Sequence, residues 1–86
     1  MGKSPPVGLI NVTIYRVDSE DMHVVSETTR VIRYADIGDT LDSLKPLLRV
    51  GDMVEVEGMR LVRVKGGFRR ATVEDEAVLI AGMMKE

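Results

Sequence analysis

The chain has 86 residues and a formal net charge of −2, which makes one domain with a modest core and little burial to spare. It has no Cys and one His, which removes disulfides and thiolate metal sites and leaves little for nucleophilic or His-based catalysis. No apolar run approaches the roughly 18 residues needed to cross a bilayer, and the polar start MGKSPPVG does not read as a signal peptide. A cytoplasmic, non-enzymatic protein without cofactor or metal is the expectation. One Asn, no Gln and dense charge lean toward a heat-stable composition.

Residues 1–7 contain Gly2, Pro5 and Pro6 and read as a flexible lead before a single domain over 8–82. LINVTIYRV (9–17) alternates, with Ile10, Val12 and Ile14 on one face and Asn11, Thr13 and Tyr15 on the other. That is a half-buried strand. DSEDM (18–22) is turn-like. HVVSETT (23–29) predicts a second strand and TRVIRYADI (29–37) a third, whose adjacent Val31 and Ile32 call for a bulge or burial on both sides. His23 has no ligand partner at metal spacing and reads as a surface residue.

GDTLDSLKPLLRV (38–50) changes period. Leu41, Leu44 and Leu48 fall at i, i+3 and i+7, which predicts a short helix with one apolar stripe, capped by Thr40 or Ser43. Pro46 keeps it short. Residues 51–65 return to a period of two, interrupted at Gly58 as by a glycine bulge in a bending strand. Gly66 and Gly67 form a two-residue hairpin loop. A return strand follows, then an apolar piece from Ala77 to Ile80, and 83–86 read as a tail. Three strands, a short helix, then sequential hairpins predict an all-β chain with one short helix, folded as a small five-stranded Greek-key barrel.

The segment LKPLLRVGDMVEVEGMRLVRVKGGFRRATV (44–73) resembles the OB-fold nucleic-acid-binding family, in the branch of replication protein A and archaeal single-strand binding proteins. It pairs a Leu-bearing helix with V-G-D, an alternating Val strand, a glycine, a second half-strand and a short Gly turn. The resemblance implies a non-catalytic protein that grips single-stranded DNA or RNA, with cations tracking phosphates and rings stacking on bases. Carried onto this chain, it implies a surface made of Tyr15, Arg16, Arg33, Tyr34, Arg63, Lys65, Phe68, Arg69 and Arg70. Two Tyr, one Phe and no Trp are few rings for such a binder. The alternative is a structural OB-type subunit that mediates protein assembly, with a protein partner or a second copy docking on the apolar C-terminal segment, Ala77 to Met84.

Charge supports the first reading and composition the second. Residues 59–73 hold Arg60, Arg63, Lys65, Arg69 and Arg70 with no acid, while acids cluster at Asp18, Glu20 and Asp21 and at Glu74, Asp75 and Glu76. Those acidic runs match no metal loop, and the Gly pair lacks the surroundings of a phosphate loop. Convergence of rings and arginines on one groove favours nucleic acid. Buried rings beside an exposed apolar C-terminal patch favour a protein partner.

Overall fold

The computed structural model describes residues 2–18, 20 and 23–83. Strand β1 (Pro6–Val17) and strand β2 (Val24–Tyr34) form one long antiparallel hairpin, in register from Val17 opposite Val24 to Pro6 opposite Tyr34, with a bulge between Pro6 and Gly8. The second and third strands expected from the sequence are therefore a single strand. Thr28 and Thr29 at the expected boundary are β-branched and extend it, because neither can supply a turn. Val31 and Ile32 need no bulge. Alternation sends Val31 to the main core, while Ile32 is exposed on the opposite side.

Helix α1 (Ile37–Leu44) is capped by Asp36, whose Oδ1 accepts the Gly38 N–H at 2.8 Å. The cap is thus Asp36, not Thr40 or Ser43. Thr40 is fully buried, and its hydroxyl accepts the Tyr34 N–H at 2.8 Å. Pro46 falls in a 3₁₀ turn (Lys45–Leu47) that closes the helix. The N-terminal lead is tied down from Ser4 onward. Its N–H donates to Asp39 at 2.7 Å, and its hydroxyl accepts the Asp36 N–H at 2.9 Å.

Strands β3 (Met53–Val56) and β4 (Met59–Val64) are joined at Glu57 and Gly58, with φ of 48° and 79°. Positive φ at both central residues is the geometry of a tight I′ hairpin turn. Gly58 therefore reverses the chain instead of bulging one bent strand. The next turn is Lys65–Gly66, and Gly67 is already the first residue of β5 (Gly67–Arg70), opposite Val64. The apolar piece after it is helix α2 (Val73–Met83), a second helix where the sequence pattern predicts only one. Met83 of the expected tail is the last residue of α2, and residues 84–86 lie outside the described residues, as do Ser19, Asp21 and Met22 of the expected turn.

The five strands form one antiparallel sheet in the order β2-β1-β3-β4-β5. β2 and β5 are its edges, so the sheet is not closed into the expected barrel. The reason lies in its two apolar sides. One side packs Val12, Ile14, Val54, Val56 and Leu61 against Leu44 and Leu48 from α1 and the turn after it. The other packs Val24, Met53 and Val62 against Leu79 of α2. Each side is covered by a helix, and closure onto itself is not needed to bury either. The β1–β2 hairpin outruns β3, whose pairing with β1 covers only Thr13 to Tyr15, and the molecule is drawn out to 43 × 23 × 21 Å.

Candidate functional site

Strand alternation decides which of the nine expected surface residues can meet. Register places Arg16, Arg33, Arg63, Phe68 and Arg70 on the α1 side of the sheet, and Tyr15, Tyr34 and Arg69 on the α2 side, with Lys65 in the β4–β5 turn. The rings do not share a groove. Tyr15 lies opposite Ser26, and Tyr34 is eight residues further along β2, about 26 Å away at ~3.3 Å per residue. Phe68 is on the opposite side and packs against the main core. Tyr15 packs against the second core, and its hydroxyl donates to Glu55 Oε1 at 3.1 Å. Burial first, and then that carboxylate, hold its phenol above the ordinary tyrosine range. Lys3 Nζ sits over the Tyr34 ring, 5.0 Å from its centre.

Most of the hairpin's positive charge is taken up by the protein itself. Arg69 grips Asp75 with both terminal nitrogens, at 2.7 and 3.2 Å. Arg60 donates to Glu55 at 3.4 Å and to Glu76 at 3.1 Å. Arg33 forks onto Glu57 at 2.7 and 3.2 Å. Arg63 donates to the carbonyls of Val64 and Gly67 and lies over Phe68, 5.8 Å from the ring centre. The acidic run at the start of α2 thus faces the basic hairpin and neutralises two of its arginines. Among the described residues, only Lys65 and Arg70 of the hairpin's cations keep no partner.

One end of the sheet brings several of the expected residues together. Arg16, Asp52, Arg63 and Phe68 fall in one row across β1, the residue before β3, β4 and β5. Asp52 is only 8% exposed. Its Oδ2 accepts Arg16 Nε at 3.1 Å and the Arg49 N–H at 2.9 Å. Arg16 also donates to the Leu47 carbonyl at 2.8 Å. Arg16 and Arg49 line an open cleft of about 370 Å³ whose other walls are Pro46, Leu47 and Leu48. Arg49 and Asp52 are residues that the sequence pattern does not single out. The V-G-D that follows the helix was the local signal for Asp52.

The outer face of α2 is the other feature. Residues 77–83 are AVLIAGM, without a charge. Only Leu79 and Gly82 of the helix are buried. Ala77 and Ala81 are exposed, as are Val73, Val78, Ile80 and Met83, with Val73 at 84% and Ile80 at 51%. No helix among the described residues is long and apolar enough to cross a membrane. No group of three or more His, Cys, Asp or Glu among them is placed to hold a metal ion. Comparison with protein-family models, with curated proteins and with solved structures finds no match to this chain.

Proposed function

We propose that the chain is a non-catalytic docking module that binds another protein chain through the outer face of α2. One observation carries this reading. A surface helix normally shows one apolar stripe toward its core and a polar face outward, and a helix apolar on all sides is normally buried. From Ala77 to Met83, α2 has no polar face, yet only Leu79 and Gly82 are buried, Leu79 against the sheet. Asp75–Arg69 and Glu76–Arg60 fasten its first turn to β5 and β4, so the ridge is held ready instead of being ordered on contact. Preorganisation of this kind lowers the entropic cost of association.

The test is site-specific photo-crosslinking in the cells that make the protein, with the photoreactive group at Ile80 in one variant and at Arg30 in another. Arg30 is exposed on the part of β2 that lies beyond the core of the sheet. An adduct of defined mass from position 80 and none from position 30 is the expected result. Equal, diffuse labelling at both positions, or none at either, overturns the reading.

Binding of single-stranded DNA or RNA through the β4–β5 hairpin is the second reading, and unpaired Lys65 and Arg70 favour it. Its affinity would rest on charge, because the three rings lie apart. Fluorescence anisotropy of a labelled oligonucleotide over a salt series tests it. A log–log slope of about −1.4 is expected for two phosphates neutralised at roughly 0.7 each. No binding at low salt removes it.

A further inference from the structure

We propose that the cleft between Arg16 and Arg49 is a binding site for a phosphate group. It lies on the α1 side of the sheet and does not depend on the docking role of α2.

The site is built from its buried acid outward. Asp52 holds Arg16 by Nε and holds the Arg49 backbone by its N–H, both on the same carboxylate oxygen. The Leu47 carbonyl holds Arg16 by Nη2. Two anchors fix the plane of the Arg16 guanidinium and leave its Nη1 without a hydrogen-bond acceptor among the described residues. The Glu27 carboxylate lies 3.9 Å from Nη1, too far for a hydrogen bond. The Arg49 side chain has no partner at all among the described residues, although it lines the same cleft. So two arginines line one opening, one with its guanidinium anchored and the other with a side chain free of partners among the described residues. Planar guanidinium forks match phosphate oxygens in pairs, and such charge-assisted contacts are stronger than neutral ones.

The surroundings have the same sign. Arg63 is next in the row beyond Asp52, and Lys65 follows in the turn. With Arg16 and Arg49 they make four cations against Asp52 and Glu27, in a chain that is negative overall. Pro46, Leu47 and Leu48 supply an apolar wall, which strengthens the field inside a charged cleft. Asp52 acts as a positioning residue. It is engaged by its two donors, and it holds Arg16 by Nε alone, which leaves Nη1 without a hydrogen-bonded acid.

Isothermal titration of the full chain with inorganic phosphate, against chloride at matched ionic strength, is the test. Phosphate-specific heat is expected, and Arg49→Gln should weaken it by roughly tenfold or more, the size of a lost charged hydrogen bond. Arg49 is exposed and its side chain holds no other group, so the variant should keep the parent's melting temperature. Arg30→Gln, exposed on β2 and outside both proposed binding surfaces, should leave phosphate binding intact. A nucleoside monophosphate and a short oligothymidylate separate the sources of the phosphate. Equal affinity for orthophosphate and the monophosphate identifies a single phosphoryl group as the ligand. Tighter binding of the oligothymidylate, with the excess lost in Arg49→Gln, identifies a strand backbone. No heat with any of the three, or heat unchanged in Arg49→Gln, overturns the proposal.

Discussion

At the scale of single residues, the join between β5 and α2 is where charge, capping and pH meet. Thr72 and Asp75 form a reciprocal cap. The Thr72 hydroxyl accepts the Asp75 N–H at 3.2 Å, and Asp75 accepts the Thr72 N–H at 2.7 Å. A cap of this kind stabilises by about 1 kcal/mol, so Thr72→Ala should lower the urea midpoint accordingly. The Arg69 guanidinium, and then the Thr72 donors, hold the Asp75 carboxyl well below the usual carboxylate range. A folded-state pKa below the unfolded one adds stability that is fully present above the ordinary range near ~4 and is lost as pH falls through the folded value. Glu57, lowered by Arg33, and Asp39, lowered by the Ser4 N–H, act in the same direction. Urea melts in a pH series should therefore show stability falling below about pH 4, and Asp75→Asn should flatten that fall. A fall of equal steepness in the variant would place the acid sensitivity elsewhere. The turn before β5 gives a second residue-scale contrast. Gly66 has φ of 83° and Gly67 has no positive φ, and a Cβ at either would meet nothing within 4 Å. Space being equal, only backbone conformation separates them. Gly66→Ala should cost about 1–2 kcal/mol, and Gly67→Ala should cost far less.

At the scale of elements, each helix owes its place to one buried leucine. Leu44 on α1 is wholly buried and Leu79 on α2 is 3% exposed, while Ile80 next to it is 51% exposed. Leu44→Ala should cost about 2–5 kcal/mol, a large part of the stability of a domain this small. Leu79→Ala should fall in the same range, and Ile80→Ala within about 0.5 kcal/mol. Equal losses at 79 and 80 would mean that α2 sits on the sheet by a different face. The two helices were not equally legible. Leu41, Leu44 and Leu48 mark α1 because charged residues lie between them. In α2 the run from Ala77 to Met83 is apolar at every position, so no period stands out, and a short apolar run fits a strand as well as a helix. The capping pair Thr72-x-x-Asp75 was the available signal. Likewise Glu57-Gly58 hides as a turn because Glu is an unusual residue at positive φ. The site was less legible than the fold. Charge density along 59–73 was plain, but the sequence does not show which of its arginines the flanking acids Glu55, Asp75 and Glu76 take up. Arg16 meets Asp52, Arg33 meets Glu57 and Arg60 meets Glu76 only once the strands are paired.

At the scale of the whole molecule, the main question is whether the sheet is open. In an antiparallel ladder, every second residue of a strand turns its N–H toward a given neighbour. β2 has one neighbour, β1, over all its length from Val24 to Tyr34. Alternate amides of β2 therefore point away from the sheet and have no strand to bond. β3 lies between β1 and β4, and its amides are bonded on both sides and sit over two cores. In a closed barrel the outward amides of β2 would bond β5 and would be as protected as those of β3. Open, they exchange with solvent without any unfolding, except the Tyr34 N–H held by buried Thr40, whereas β3 exchanges only through large openings. Native-state hydrogen exchange followed by NMR should thus give an alternating fast and slow pattern along β2 and uniformly slow exchange in β3. The upper half of β1, beyond its pairing with β3, should alternate like β2. Uniform protection along β2 would mean that its outer edge is covered, by β5 of the same chain or by a strand of another copy. Repeating the measurement at low and high protein concentration separates the two, since only pairing between copies weakens on dilution.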